Sequence, residues 1–104
     1  MEFKQVTASA IANVYFDGKV VSHAITTADG ESKTLGVILP GEYHFNTEAP
    51  EKMEIVAGGC SVVLDGSDET QQIEAGSFFD VPGDSGFTIT VEGEPCHYVC
   101  SFLN

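Results

Sequence analysis

Residues 36–58 read GVILPGEYHFNTEAPEKMEIVAG and contain the pattern that decides the fold class. Met53 and Ile55 flank a polar residue, which is the period-two pattern of a β-strand with one buried face. Tyr43 and Phe45 are spaced in the same way, so both are expected to point to the interior of the protein. The stretch therefore predicts strand rather than helix.

The same strand periodicity extends along the rest of the chain. Residues 28–31 (Ala-Asp-Gly-Glu) place an Asp-Gly turn between two apolar runs, which indicates a β-hairpin. Residues 9–13 are the one segment compatible with a short helix. About eight strands separated by turn residues favour an all-β sandwich or closed barrel. The predicted strands cover residues 19–27, 35–39, 53–57, 60–64, 71–74, 78–81, 87–91 and 96–103.

Length and charge restrict the possible functions. The 104 residues suffice for a single domain, expected to span 1–104, in which 1–13 form either an N-terminal arm or an extra strand. The net charge is −12, from 16 acidic residues against four lysines and no arginine. This balance argues against nucleic-acid or anionic-membrane partners, and it makes an anionic substrate harder to bind.

Location, thiol chemistry and assembly can also be predicted. The sequence lacks an apolar run of membrane-spanning length and the features of a signal peptide, so a cytoplasmic location is expected. The chain has three cysteines, Cys60, Cys96 and Cys100, and no Cys-x-x-Cys pair. This pattern predicts free thiols rather than a disulfide framework or a zinc site. Sheet edges in small β-folds are commonly covered by a second copy, so we expect a homodimer.

Two segments, 36–58 and 76–87, resemble the conserved motifs of the cupin superfamily. In that superfamily the first motif reads Gly, His-x-His, Glu and, after six residues, Gly. The second reads Gly, five residues, Pro and, five positions further on, His. The glycines, the proline and the carboxylate, Glu51, are present here. The three histidine positions hold Tyr43, Phe45 and Phe87. The resemblance implies a cupin-type β-barrel, or jelly roll.

The aromatic replacements bear directly on the metal site of that barrel. A phenyl ring offers no lone pair, and a neutral phenol is a weak ligand beside imidazole, so we expect a metal-free barrel without a cofactor. Tyr43, Phe45 and Phe87 around Glu51 describe a pocket for a ring-bearing organic ligand. The alternative, that the aromatic side chains simply fill the interior of a small barrel, stays open at this stage.

Several short runs, in order along the chain, resemble one family more closely. The runs are YFDGKV (15–20), GEYHF (41–45), PEKM (50–53), GSF (76–78), VPG (81–83) and YVC (98–100). They resemble the small bacterial, cupin-like family called pyrimidine/purine nucleoside phosphorylase, and the resemblance extends from Val14 to Leu103. It implies a metal-free homodimer that cleaves purine and pyrimidine nucleosides with phosphate, giving a free base and ribose 1-phosphate.

Under this resemblance Glu51 is the catalytic candidate, because a carboxylate accepts hydrogen bonds from ribose hydroxyls and stabilises adjacent positive charge. Tyr43, Phe45 and Phe87 are candidates for binding the substrate. Activity on nucleosides with many different bases implies that the enzyme holds the sugar rather than the base. The co-substrate is inorganic phosphate, and no further cofactor is implied.

Phosphate has two candidate partners in the sequence. The arginine that often follows the last-strand cysteine in the family is Ser101 here, which leaves Lys33 in the first hairpin as the best-placed cation. The turn after Pro82 presents Gly83, Asp84 and Ser85, whose backbone N–H groups can face an anion. Hairpin lysines and turns of this composition also occur without any binding role.

Two other interpretations remain open from the sequence alone. One is a non-catalytic cupin dimer that binds a small aromatic or sugar-like ligand, which the missing arginine favours. The other is a structural or interaction dimer with a filled barrel. His23, His44 and His97 show no ligand spacing, and His44 lies between two inward residues, so its ring is predicted to point outward.

Overall fold

Strand-forming sequence dominates the chain, and a computed structural model describes residues 1–103 as eleven β-strands and one 3-10 turn, Phe16–Gly18. The all-β fold class is confirmed, and the eight strands predicted by position correspond to β3, β4 and β6 to β11. No helix in the described part of the chain is long and apolar enough to cross a membrane. The strands are β1 (Thr7–Ala8), β2 (Asn13–Tyr15), β3 (Val20–Thr26), β4 (Ser32–Ile38), β5 (Gly41–Asn46), β6 (Glu51–Ala57), β7 (Gly59–Leu64), β8 (Gln71–Glu74), β9 (Phe78–Val81), β10 (Gly86–Val91) and β11 (Cys96–Phe102).

The strands form two antiparallel sheets. The larger sheet has the order β1-β3-β4-β11-β6-β9, with β2 also paired to β3, and the smaller sheet has the order β5-β10-β7-β8. From β5 onward the chain passes repeatedly from one sheet to the other, which is the arrangement of the predicted cupin-type barrel. The last strand, β11, lies at the centre of the larger sheet between β4 and β6.

The predicted hairpin joins β3 to β4. Its turn is closed by a hydrogen bond of 3.0 Å from the N–H of Gly30 to the carbonyl of Thr27. Gly30 has a φ of +88°, a value that glycine adopts without a steric penalty. The Asp-Gly pair therefore sets the turn as the sequence predicts.

The core lies between the two sheets and is formed by alternate residues of each strand. Burying one such aliphatic side chain stabilises the fold by about 1.5–3 kcal/mol. The most deeply buried side chains are Val20, Ile38, Ile55, Val62, Val81, Ile89, Val91 and Cys96.

The N-terminal residues follow β3 in two short pieces. Thr7 pairs with Thr26 and Asn13 pairs with Ser22, so β1 and β2 contact different parts of the same strand. Between these pieces the N–H of Ser9 donates to the carbonyl of Ala24 at 2.9 Å. The short-helix interpretation of residues 9–13 is wrong, because this segment bonds to a neighbouring strand and Asn13 already begins β2.

Gly36 has a packing role that connects the first motif to the site. It lies on β4, opposite Ser22 of β3 and Tyr98 of β11. A Cβ at position 36 would lie 2.5 Å from Cζ and 2.6 Å from Oη of Tyr98. The absence of a side chain at Gly36 therefore lets the Tyr98 ring lie across β4 on the inner face of the sheet.

We expect Gly36→Ala to lower the free energy of unfolding by about 1–3 kcal/mol, the usual cost of overpacking a filled interior. Urea denaturation measures the change. In a Tyr98→Leu background the same substitution should be neutral or stabilising, because alanine is preferred to glycine within a strand. An equal loss in both backgrounds would show that the contact with the Tyr98 ring is not the cause.

Candidate functional site

A cavity of about 720 Å³ opens between the two sheets, a volume in the range of small-molecule sites. The barrel is therefore not filled by its aromatic side chains, and the filled-barrel alternative does not fit the structure. The lining residues are Tyr15, Phe16, Ser22, Thr34, Ile38, His44, Phe45, Asn46, Glu48, Ala49, Glu51, Met53, Phe87, Tyr98, Cys100 and Phe102.

One side of the cavity, here called the polar wall, consists of Ser22, Thr34, Glu51, Tyr98 and Cys100. These residues project from the adjacent strands β3, β4, β11 and β6 of the larger sheet. Burial raises the pKa of Tyr98 to about 12, partly offset by hydrogen bonding to Ser22. The phenol is therefore neutral at physiological pH, and the wall presents hydroxyl, thiol and carboxyl groups side by side.

Glu51 is the acidic member of the polar wall. It begins β6, where it pairs with Phe102 of β11 and Val81 of β9, and it is half-buried. Burial raises the pKa of the Glu51 carboxyl, while a hydrogen bond with the Cys100 thiol acts in the opposite direction. Burial and the neighbouring carboxylate raise the pKa of Cys100 as well. The Glu51 carboxylate is thus poorly solvated, and a positive charge close to it would be strongly stabilised.

The opposite side, here called the aromatic wall, is formed by Phe45 of β5 and Phe87 of β10. Their ring centroids lie 5.6 Å apart in a stacked arrangement, and Phe79 packs edge-on against Phe87 at 5.4 Å. The structure thus brings Phe45, Phe87 and Glu51 together around one cavity, as the motif spacing predicts.

Tyr43, the third aromatic candidate, is buried but does not line the cavity. Its hydroxyl lies 2.9 Å from the carbonyl oxygen of Leu39 and 3.1 Å from that of Pro40, to which it donates. The phenol is therefore occupied by its own β4–β5 connection. The Tyr43 ring packs against Phe16, with 4.9 Å between ring centroids, and its hydroxyl is not presented to a ligand.

Lys33 lies on the other face of the larger sheet. Its neighbour Thr34 lines the cavity, so strand alternation directs Lys33 away from it. There the Nζ atom donates to Oγ of Ser101 at 2.7 Å and lies 3.5 Å from a carboxylate oxygen of Glu31. The side chain is only 13% exposed. The structure does not bring Lys33 together with Glu51, Phe45 and Phe87.

The turn that contains Gly83, Asp84 and Ser85 is hydrogen-bonded to the connection between β5 and β6. The N–H of Asp84 donates to the carbonyl of Glu48 at 3.0 Å, and the N–H of Ser85 donates to Oγ1 of Thr47 at 3.1 Å. Both amides are therefore already used within the protein. The three turn residues are also absent from the cavity lining, so the structure separates this candidate anion site from Glu51.

A protein metal site usually needs several His, Cys, Asp or Glu side chains grouped around one point. Within residues 1–103 no three His, Cys, Asp or Glu side chains are grouped in such a way. His44, the histidine nearest the aromatic wall, is exposed and its Nε2 lies 2.9 Å from Oδ1 of Asp65 in the turn after β7. It forms a surface pair with one carboxylate.

The sequence reasoning missed several lining residues. Ser22 and Thr34 belong to no motif, and Tyr98 and Cys100 stand in the family run 98–100 without an assigned role, so only strand parity could have identified the four as lining residues. Tyr98 and Cys100 are two positions apart on β11, and their inward direction follows from the exposure of His97. The pairing order of β3, β4, β11 and β6, which the sequence does not contain, brings the four residues to one wall.

Comparisons with known proteins agree on one family. The sequence model of the family described as pyrimidine/purine nucleoside phosphorylase matches residues 10–102. A protein of that name from Leptothrix cholodnii is 62% identical over 96 residues, covering 92% of each chain. Another, from Aromatoleum aromaticum, is 56% identical over 101 residues, covering 97% of this chain and 94% of its own. A solved structure of a protein of unknown function from Acinetobacter sp. ADP1 superimposes with a TM-score of 0.94 at 43% identity, covering 98% of both chains.

The raised pKa of Glu51 predicts a pH-dependent effect on stability. A carboxyl whose pKa is higher in the folded state than the ordinary value of 4.5 favours folding only while it is protonated. Wild-type stability should therefore fall relative to Glu51→Gln as the pH rises from 4.5 through the folded-state pKa. Urea denaturation between pH 4.5 and pH 8 measures this difference, and exposed Glu92→Gln is the control. A difference between the Glu51 variant and wild type that stays constant over this range would contradict the burial argument.

Proposed function

Because the chain belongs to the pyrimidine/purine nucleoside phosphorylase family, we propose that it cleaves purine and pyrimidine nucleosides with phosphate, giving a free base and ribose 1-phosphate. The observation that best supports this within the site is the division of the cavity into a polar wall and an aromatic wall. A nucleoside has the same division, since its sugar carries hydroxyl groups and its base is a flat ring.

The polar wall suits the ribose. Glu51 accepts hydrogen bonds from ribose hydroxyls, and Ser22 and Thr34 both donate and accept. On the aromatic wall, Phe45 is partly exposed to the cavity and is backed by the buried Phe87. Ring surface on this side can meet the base without reading its edges, which agrees with activity on both purines and pyrimidines. This orientation places the anomeric carbon between the two walls, on the Glu51 side.

The reaction itself exchanges one bond for another. A phosphate oxygen forms a bond to the anomeric carbon, the bond from that carbon to the base nitrogen breaks, and its electron pair leaves with the base. The proton that the base gains balances the one that hydrogen phosphate loses on becoming the sugar phosphate. Positive charge develops on the sugar before the new bond is complete. The desolvated Glu51 carboxylate stabilises this charge more strongly than a solvated carboxylate would, and a preorganised group of this kind is worth roughly a hundredfold in rate.

Phosphate is the more demanding of the two substrates for this cavity. Among the lining residues that the structure describes there is no lysine, and both Glu48 and Glu51 carry carboxyl groups. The lining offers phosphate the Ser22 and Thr34 hydroxyls and the His44 ring, which is paired with Asp65, while Lys33 acts only from the far side of the sheet. We infer that phosphate binds weakly.

We expect Glu51→Gln to lower the turnover of uridine phosphorolysis by on the order of a hundredfold or more, while the free energy of unfolding at neutral pH changes by about 1 kcal/mol or less. Uracil release and ribose 1-phosphate formation are measured with and without phosphate, and melting temperature is measured on the same samples. Glu92→Gln is again the control. Near-normal turnover in folded Glu51→Gln protein would remove this residue from the mechanism.

The same assay tests the second candidate, a non-catalytic binding protein. The lack of a lysine in the described cavity lining favours this candidate, since the histidine of that lining, His44, is already paired with Asp65. If uridine or adenosine raises the melting temperature but no base is released in the presence of phosphate, the protein is a non-catalytic binding protein.

We further propose that the protein works without a bound metal, because Tyr43, Phe45 and Phe87 occupy the usual ligand positions of a cupin. Purified protein should contain well under one transition-metal ion per chain by elemental analysis. Phosphorolysis should also survive treatment with a chelator. Stoichiometric metal whose removal abolishes activity would overturn this proposal.

A homodimer is the proposed assembly, and a cytoplasmic location agrees with the free thiols of Cys60, Cys96 and Cys100. Among the described strands, β5 and β9 each pair on one side only, which leaves open edges that a second copy can cover. Light scattering at micromolar concentration should return twice the chain mass of 11.1 kDa. A monodisperse monomer would contradict the proposal.

A further inference from the structure

The segment between β2 and β3 carries two aromatic rings at the cavity and an unusual backbone. Phe16 and Asp17 have φ angles of +52° and +56°, and Gly18 follows at +89°. Left-handed backbone is uncommon for residues other than glycine, and two such residues in succession persist only where the surrounding structure holds them. Strained backbone of this kind is concentrated at functional sites. The side chains that it positions, Tyr15 and Phe16, are therefore candidates for a role in the site.

Hydrogen bonds and ring contacts fix this segment. The N–H of Lys19 donates to the carbonyl of Phe16 at 3.2 Å, and the N–H of Leu39 donates to the carbonyl of Lys19 at 2.8 Å. The Phe16 ring lies 4.9 Å from Tyr43 and 5.4 Å from Phe45, between ring centroids. Backbone hydrogen bonds and ring contacts with Tyr43 and Phe45 therefore fix the position of Phe16 together.

Tyr15 and Phe16 nevertheless remain 44% exposed while lining the cavity. Tyr15 contacts Phe45 edge-on at 5.9 Å. Rings that served only to pack the barrel would be buried as Phe87 is. These two rings instead keep nearly half their surface free beside the cavity, which is the property of a stacking surface for a flat ligand.

We propose that Tyr15 and Phe16 form the nucleobase subsite, in which the base stacks on their free ring surface and is accepted whether it is a purine or a pyrimidine. This inference rests on the proposed function, since it assigns the base of the nucleoside to one end of the cavity. Stacking tolerates any base because every base has a π-face, whereas hydrogen bonds to base edges would discriminate between them.

The test compares Phe16→Leu, Tyr15→Leu and the double variant with Phe78→Leu. Phe78 is the matched control, because it is 52% exposed, lies outside the cavity lining and packs against Lys52, whose Nζ is 4.5 Å from the ring centroid. Adenine and uracil are titrated calorimetrically into each protein. The KM and kcat for adenosine and uridine at saturating phosphate are measured in parallel.

We expect each Leu variant at Tyr15 or Phe16 to weaken binding of both bases by about 5- to 100-fold, with a corresponding rise in KM and a smaller change in kcat. Phe16→Trp should retain base affinity, because it keeps an aromatic face. Wild-type affinity in the double variant, a loss confined to one of the two bases, or an equal loss in Phe78→Leu would overturn the proposal.

Binding of the free bases tests the base subsite independently of the proposed phosphorylase function. If wild-type protein binds adenine and uracil through Phe16 but releases no base from nucleosides, the base subsite stands and the phosphorylase function falls. If phosphorolysis proceeds normally in the double variant, the function stands and the subsite is overturned.

Discussion

The direction of neighbouring side chains along an antiparallel strand is the constraint on which the site depends. On β11, Cys100 faces the cavity while Ser101 faces the other side of the sheet, where it bonds to Lys33. A shift of one residue in register would exchange these two sets and remove the polar wall. The register of β11 against β6 contains an irregularity between His97 and Tyr98. The extra residue is Val56 of β6, whereas β11 stays in regular register with β4, so Tyr98 and Cys100 keep the same inward direction.

The negative charge of the cavity has opposite effects on the two substrates, the nucleoside and phosphate. A nucleoside is neutral, and only its reacting state carries a positive charge, which the desolvated carboxylate of Glu51 favours. Phosphate carries negative charge throughout and meets both this carboxylate and a net charge of −12. The same residue that lowers the energy of the sugar cation thus raises the energy of bound phosphate. Weak phosphate binding is therefore a consequence of how the polar wall is built.

The sequence predicted strands and the Glu51, Phe45 and Phe87 cluster well, because both depend on local alternation and motif spacing. Contacts between segments that are distant in sequence could not be predicted in this way. Lys33 was assigned to phosphate from its place in a hairpin, but which face it occupies follows from the packing of β4 against β11. The amides of the turn at Asp84 and Ser85 looked free, since their partners, Glu48 and Thr47, lie far away in sequence. The strands β1 and β2 are two and three residues long, too short to show a period.

The central position of β11 has a consequence for biosynthesis. Strands β4 and β6 have no direct pairing with each other and are joined only through residues 96–102. During translation, β4 and β6 therefore emerge from the ribosome long before the strand that connects them. Until then the larger sheet exists as two separate halves with unpaired edges, which invite association with other chains. Most contacts that complete the barrel are distant in sequence, so closure is expected to be slow relative to local hairpin formation. Pairing of β11 with β4 and β6 then completes the polar wall and the larger sheet in the same step.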